Sequence, residues 1–174
     1  PWADLVPWGS VEVFFGDERS VGECDGGRND AAAREALLLH VPIPPENVHP
    51  VPALAPDGAR RYEALLRERL SAPAPALPAL DLVLLGLGED GHTASLFPGH
   101  PAVAETERLV VRVDGAPKEP PSRVSFTLPL LNAARAVAFV VSGREKRAAL
   151  ARVLAGERRL PAACVEPPDG ERLF

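Results

Sequence analysis

The chain has 174 residues, with 19 lysines and arginines, 24 aspartates and glutamates, and a formal net charge of −5 at pH 7. This length fits one domain or two small ones. The sequence has no long basic run, and no apolar run approaches the ~20 residues of a membrane-spanning helix. We therefore expect neither nucleic acid nor a membrane as a partner. Cys24 and Cys164 have neither disulfide nor metal-ligand spacing, so we expect isolated cysteines in a reducing compartment and no metal site.

The first half of the chain alternates a short apolar run with two helical patterns. Val11–Phe15 is rich in β-branched and aromatic residues and predicts a strand that ends at Gly16. Asn29 or Asp30 can cap a helix that runs through Leu39. Residues 60–70 place apolar side chains at helical spacing with charges between them, which predicts a second helix.

The second half of the chain has three more strand patterns and one more helix. Leu80–Leu85 and Ala136–Val141 are almost entirely apolar, as in strands that are buried on both faces. Leu109–Val113 alternates more strongly and is predicted nearer a sheet edge. Residues 144–154 predict a helix. Strands that alternate with helices predict an α/β fold with a mainly parallel sheet. We interpret the Ala/Pro-rich segment 71–79 as a helix-to-strand connection, which leaves residues 1–174 as a single domain.

Each of the three apolar runs predicted as buried strands is followed by a segment that contains a glycine and several polar residues. These segments are 16–20, 86–93 and 142–146. In open α/β sheets, ligands bind outside the carboxyl ends of the strands. If the strands are parallel, one rim of the sheet therefore brings together two carboxylates, a histidine and several cations. This rim is the predicted functional site.

His92 is the most informative single residue of that rim. It lies two residues after Asp90, and a histidine can exchange protons near neutral pH. A structural histidine is the alternative. The pattern Gly86-x-Gly88-x-x-Gly91 matches a dinucleotide-binding fingerprint, but prolines and a glycine at 98–101 stop the helix that this fingerprint needs. We therefore expect no nicotinamide or flavin cofactor, and glycines that let the backbone turn tightly beside a ligand.

The third loop carries three cations at the start of a predicted helix, namely Arg144, Lys146 and Arg147. The helix dipole disfavours cations there, whereas free helix N–H groups together with cations form a good anion site. Lys146 is therefore a candidate phosphate ligand. A solvated basic helix start is the alternative.

Five segments of the chain resemble the 6-phosphogluconolactonases, a family in the superfamily that also holds the glucosamine-6-phosphate deaminases. The longest is the signature LGLGEDGHTASLFPG at 85–99. The others are FGDERSV at 15–21, PSRVSFTLP at 121–129, VSGREK at 141–146 and LPA at 160–162. They occur in the family's order and are spread over nearly the whole chain.

The resemblance implies a three-layer α/β/α sandwich around a mainly parallel, Rossmann-like sheet. It implies hydrolysis of 6-phospho-D-glucono-1,5-lactone to 6-phospho-D-gluconate in the oxidative pentose phosphate pathway, with no cofactor, by a cytoplasmic and monomeric enzyme. The sister deaminases carry a glutamate where this chain has Phe97, and Asp-Glu-Tyr where it has Asp-Glu-Arg at 17–19. Both differences favour the lactonase over the two alternatives, a deaminase or isomerase and a non-catalytic sugar-phosphate binding module.

For the reaction itself, the resemblance implies that His92 is the general base that activates water. Asp90 or Asp17 then orients the imidazole or the water, and the sequence does not choose between them. Backbone N–H groups around Gly88 and Gly91 are candidates for stabilising the oxyanion.

The remaining predicted site residues bind the substrate. Lys146, Arg123 and Arg19 hold the 6-phosphate, with the planar forks of the arginines giving the more rigid contact. Asn29 is predicted either to contact a sugar hydroxyl or to serve only as a helix cap.

The chain departs from the family pattern at its start. The family begins with a strand and a Ser-Gly-Gly-x-Thr-Pro loop that cradles the substrate phosphate, whereas this sequence starts at Pro1, just before its first predicted strand, and contains no methionine. The resemblance thus implies that a βα unit with this loop precedes Pro1, and that a short piece follows Phe174.

Overall fold

The computed structural model describes residues 3–22, 25–72, 75–167 and 170–174. Part of the predicted 71–79 connection, and Cys24, lie outside these residues. Cys164 is a free cysteine, as the sequence predicts. The strands fall into three hydrogen-bonded groups, two of them parallel and one antiparallel. Strands and helices alternate through most of the chain, so the α/β prediction is confirmed.

Three of the five strands in the parallel groups come from strongly apolar segments. Strand β1 (Val13–Phe14) pairs with β3 (Val48–His49), and β4 (Val83–Leu85), β7 (Ala136–Phe139) and β8 (Glu171–Leu173) form the second group. Strands β1, β4 and β7 lie inside the predicted apolar runs at 11–15, 80–85 and 136–141 and are shorter than those runs, whereas β3 and β8 were not predicted.

Burial of the β4–β7–β8 group differs from the sequence prediction. Side chains alternate between the two faces of a strand. Val83 and Leu85 are buried, whereas Leu84 between them is 66% exposed. Only one face of β4 is thus buried, and the prediction of a strand buried on both faces is not met there within the described residues.

The antiparallel group has the order β2–β6–β5, with β2 at Asp17–Arg19, β6 at Arg123–Phe126 and β5 at Val110–Val113. The prediction of β5 near an edge is confirmed. The predicted loop at 16–20 is instead largely a strand. Its charged residues alternate, with Glu18 fully buried and its two neighbours only half-buried, which is the period of a strand rather than of a loop.

The four α-helices of the described residues are α1 (Asn29–Ala36), α2 (Gly58–Arg69), α3 (Leu128–Asn132) and α4 (Arg147–Leu154). Three of them match predicted helices. The first ends earlier than expected, and a 3₁₀ turn follows it at Leu38–His40. The last begins later, because Arg144–Lys146 form a separate 3₁₀ turn before it. Within the described residues, no helix combines the length and apolarity needed to cross a bilayer.

The buried side chain of Tyr62 in α2 is hydrogen-bonded to the backbone just before Asp17. It is 1% exposed, and burial raises the pKa of its hydroxyl. This hydroxyl donates to the His49 carbonyl at 3.0 Å and accepts the Phe15 N–H at 2.7 Å. The Tyr62 side chain therefore links α2 to β3 and to Phe15, which directly follows β1 and lies two residues before Asp17.

Candidate active site

Asp90 and His92 form a side-chain pair in the loop after β4. An Asp90 carboxylate oxygen contacts His92 Nδ1 and also accepts the His92 backbone N–H at 3.2 Å. Burial raises the pKa of Asp90, but the hydrogen bonds from the His92 side chain and backbone outweigh it, so the pKa lies below its ordinary value. Asp90 is therefore ionised near neutral pH and fixes the imidazole through Nδ1, which leaves Nε2 for a reactant.

Gly88 and Gly91 shape this loop by having no side chain. A Cβ on Gly88 would lie 1.9 Å from His92 Nδ1 and 2.6 Å from an Asp90 carboxylate oxygen. Gly91 has a φ of +84°, and a Cβ there would lie 2.8 Å from the Leu160 side chain. The Gly88 N–H donates to the His92 carbonyl at 2.8 Å and the Gly91 N–H to the Gly88 carbonyl at 3.0 Å. The N–H groups of Gly88 and Gly91 themselves are thus engaged within the loop.

Asp17 occupies a second, separate position in the site. One of its carboxylate oxygens accepts from Asn29 Nδ2 at 3.0 Å and the other from the Ser95 hydroxyl at 2.6 Å. Asn29 Nδ2 also donates to the Asp17 carbonyl at 2.8 Å. Ser95 is fully buried, and its N–H donates to Ser125 Oγ at 3.1 Å. Asp90 is therefore the carboxylate beside His92, whereas Asp17 is oriented by an amide and a hydroxyl.

Two arginines face each other across the antiparallel sheet. The β2–β6 register places Arg19 directly opposite Arg123, and like charges in such a pair destabilise a sheet. Arg123 is 5% exposed, and its guanidinium donates to three backbone carbonyls of residues 118–120 at 3.1 Å each. Burial lowers its pKa, with Arg19 adding to the effect and Asp17 opposing it. In the described part of the chain neither arginine forms an ion pair with a carboxylate, so the pair is suited to an anionic ligand.

Arg19 carries a further sign of this suitability. Its Nη1 donates to the Gly27 carbonyl, whereas its Nε is buried and has no hydrogen-bond partner among the described residues. A buried donor without a partner costs about 1–3 kcal/mol. The Arg19 guanidinium is therefore held by one hydrogen bond, while its buried Nε–H has no acceptor among the described residues.

Phe97 connects the histidine to the arginines. Its ring is 1% exposed, and its centroid lies 4.6 Å from the His92 ring centroid and 5.5 Å from Arg123 Cζ. The predicted base and one of the predicted phosphate ligands thus pack against one aromatic ring. This brings His92 and Arg123 close together, although Arg123 lies outside the three segments of the predicted rim.

Lys146 reaches the same loop from the other side. Its Nζ lies 3.9 Å from a Glu89 carboxylate oxygen, and it lines a cavity of about 380 Å³ together with Arg144 and Arg147. A larger cavity of about 570 Å³ lies beside Arg28 and residues 50–55, and none of the predicted site residues lines it.

Sequence reasoning missed two residues that organise this region. Ser95 binds Asp17, and Glu18 binds the first backbone N–H groups of α1. Both lie inside segments that carry the family resemblance, and that was the only available signal. The expected helix cap at Asn29 or Asp30 is wrong: α1 begins at Asn29, so the cap position is Arg28, whose side chain makes no capping hydrogen bond.

Comparisons with known proteins identify the family of this chain. The family model of the glucosamine-6-phosphate isomerases/6-phosphogluconolactonase matches residues 2–174. A 6-phosphogluconolactonase of Streptomyces coelicolor is 43% identical over 173 residues, which cover 94% of this chain and 66% of that protein. One of Synechocystis is 43% identical over 177 residues, covering 97% of this chain and 71% of that protein. The chain thus spans about two thirds of the length of these relatives.

A solved structure shares the fold. The crystal structure of 6-phosphogluconolactonase from Thermotoga maritima superposes with a TM-score of 0.84 at 30% identity, over 97% of this chain and 74% of that one. The family model covers nearly every residue, and the relatives pass 40% identity. The chain therefore belongs to the glucosamine-6-phosphate isomerase/6-phosphogluconolactonase family.

Proposed function

We propose that this protein hydrolyses 6-phospho-D-glucono-1,5-lactone to 6-phospho-D-gluconate in the oxidative pentose phosphate pathway. The observation that carries the proposal is the packing of His92, paired with Asp90, and of the buried Arg123 against the single ring of Phe97. A proton acceptor and an anion-binding cation thereby lie side by side, which suits an ester that carries a phosphate. The relatives named 6-phosphogluconolactonase support the same substrate.

In the proposed mechanism, His92 acts as the general base. Its Nε2 takes a proton from water while the water oxygen bonds to the lactone carbonyl carbon and forms a tetrahedral oxyanion. The intermediate collapses by breaking the bond from this carbon to the ring oxygen, and the imidazolium returns its proton to that oxygen as it leaves. Asp90 holds the Nδ1 side of the ring and stabilises the imidazolium. No cofactor is needed for these steps.

Asp17 is proposed to orient the attacking water. Its carboxylate is fixed by Asn29 and Ser95, yet each oxygen retains a lone pair to accept a further hydrogen bond. Asn29 retains its side-chain oxygen for a sugar hydroxyl. The glycines at 88 and 91 contribute space and backbone conformation, since their own N–H groups are engaged within the loop.

The 6-phosphate is proposed to bind Arg19, Arg123 and Lys146. A dianion between Arg19 and Arg123 would relieve their mutual repulsion and could accept hydrogen bonds from both guanidinium groups. Lys146 would approach as a point charge from the opposite side, where it now faces Glu89 at 3.9 Å. The phosphate loop before Pro1, the short piece after Phe174, the monomeric state and the cytoplasmic location remain predictions.

The test supplies freshly prepared lactone to the purified protein and follows 6-phosphogluconate formation by NMR against the spontaneous reaction. A parallel sample contains glucosamine-6-phosphate and is assayed for ammonia. We expect lactone turnover and no ammonia, because the apolar Phe97 cannot carry a proton. Ammonia release would assign the protein to the deaminases, and binding of product without lactone turnover would make it a binding module. Either result would refute the proposal.

A further inference from the structure

We propose that Glu18 is a positioning residue that holds Asp17 in its working orientation through the first turn of α1 and the side chain of Asn29. The inference rests on the proposed function, because it concerns how the site for lactone hydrolysis is assembled. Glu18 itself lies outside the site: it is fully buried and is 0% exposed.

Three backbone N–H groups converge on this one carboxylate. Its Oε1 accepts the N–H of Arg19 at 2.8 Å and that of Asn29 at 2.8 Å, and its Oε2 accepts the N–H of Asp30 at 3.0 Å. Arg28 Nη2 lies 3.7 Å from Oε2. Burial raises the pKa of Glu18, and the three backbone bonds and Arg28 oppose this effect. A buried carboxylate is costly, so its retention here calls for a role.

The two N–H groups from Asn29 and Asp30 are those that the start of a helix leaves without partners. A residue just before the helix usually satisfies them through its own side chain. Here a strand supplies the acceptor, since Glu18 lies in β2. Since Glu18 satisfies these N–H groups, the Asn29 side chain needs no capping orientation, and its Nδ2 donates to the carbonyl and the carboxylate of Asp17.

The alternation of β2 completes the link. Asp17 and its neighbour Glu18 point to opposite faces of the strand. On one face, the Glu18 carboxylate accepts the backbone N–H of Asn29. On the other face, the Asn29 side chain donates to Asp17. Asn29 is therefore hydrogen-bonded to both of two neighbouring residues of β2. Because of these two contacts, a change at Glu18 must move Asn29 relative to Asp17.

A double-mutant cycle separates positioning from simple stabilisation. The variants are Glu18→Gln, Asn29→Ala and the double variant, with Glu63→Gln as the matched control. Glu63 is another largely buried carboxylate that accepts a backbone N–H, that of Leu109 at 3.2 Å, but it has no contact with the site. All four variants are assayed for kcat and KM on the lactone at a temperature where each is folded.

We expect Glu18→Gln and Asn29→Ala each to lower kcat by about 10- to 100-fold, because a misplacement near 1 Å has effects of that order. KM should change less than threefold in Glu18→Gln, which keeps the Asn29 side chain, whereas Asn29→Ala also loses the oxygen proposed to bind a sugar hydroxyl and should raise KM. In the Asn29→Ala background, Glu18→Gln should lower kcat by less than about threefold more, since residues that act through one another are not additive. Glu63→Gln should lower Tm and leave kcat unchanged. Losses that multiply in the double variant, or an unchanged kcat in Glu18→Gln, would overturn the inference.

Two further measurements keep the test decisive. If Glu18→Gln does not fold, Asn29→Ala decides alone: an unchanged kcat refutes the link to Asp17. The NMR shift of the Asp17 carboxyl carbon is independent of turnover, and it should move in the same direction in both single variants. If the wild type hydrolyses no lactone, the proposed function fails, whereas the shifts still decide the positioning role: movement in only Asn29→Ala would overturn it.

Discussion

Replacing Gly88 by alanine should disable the Asp90–His92 pair while leaving the substrate-binding cations in place. The new Cβ would lie 1.9 Å from His92 Nδ1 and 2.6 Å from the Asp90 carboxylate, whereas ordinary van der Waals contact begins near 3.4 Å. The imidazole must therefore move by about 1.5 Å, the difference between 3.4 and 1.9 Å. The backbone at Gly88 does not require glycine, since its φ is not in the left-handed region.

The size of the effect follows from this displacement. A misplacement of 1 Å at a reacting group can cost about 100-fold, and complete loss of a general base costs about 10²- to 10⁴-fold. We therefore expect kcat to fall by at least about 100-fold. KM should change only a few-fold, because the new methyl group would contact neither Arg19 nor Arg123.

The assay measures initial rates of lactone hydrolysis over a range of concentrations, with Gly86→Ala as the matched control. A Cβ on Gly86 would meet no atom within 4 Å, so this neighbouring substitution should keep kcat within about twofold of wild type. Thermal unfolding verifies that both variants are folded. A Gly88→Ala enzyme with a kcat within threefold of Gly86→Ala would refute the reasoning that links His92 geometry to turnover.

The other predictions concern binding, pH and packing. Lys146→Ala should mainly raise KM, which steady-state kinetics will measure, and an unchanged KM for the phosphorylated lactone would remove it from the phosphate site. Folding lowers the pKa of Asp90 from its ordinary value of 3.8. The ionised carboxylate therefore stabilises the folded protein fully at pH values above 3.8, and this stabilisation is lost as the pH falls through the folded-state pKa. Asp90→Asn should therefore lower Tm at pH 7 and have a smaller effect near pH 3, whereas an equal effect at both would contradict the assignment. Leu131 is 0% exposed, and Leu131→Ala should lower the free energy of unfolding in urea by about 2–5 kcal/mol; a loss below 1 kcal/mol would mean that the core there collapses around the gap.

The sequence predicts three of the parallel strands, β1, β4 and β7, and the main helices because apolar side chains are dense or periodic there. It misses β3 and β8, which are short and contain charged or polar residues. The antiparallel sheet was harder to foresee. Its strand β2 consists of Asp17, Glu18 and Arg19, and a charged triplet after a glycine is typical of a loop. The partner strand at 123–126 stabilises the extended backbone, and such a long-range pairing leaves no local pattern in either segment.

The candidate site, like the fold, was only partly predictable from the sequence. The sequence identifies His92, Asp90 and the cations as candidates, because their residue types and their motifs point to proton transfer and anion binding, and their roles stay predictions. The choice between the two carboxylates was not, because it depends on which one the folded loop brings to Nδ1. Likewise, the sequence does not show that Glu18, a residue of β2, accepts the first N–H groups of α1, or that Asn29 directs its Nδ2 to Asp17, because both contacts join segments that are distant in sequence.

The central claim is that His92 is the general base of lactone hydrolysis, and the His92→Ala variant tests it most directly. On fresh lactone, with the spontaneous rate subtracted, kcat should fall by about 10²- to 10⁴-fold while the protein stays folded. A folded His92→Ala protein with a kcat within a few-fold of wild type would contradict the account.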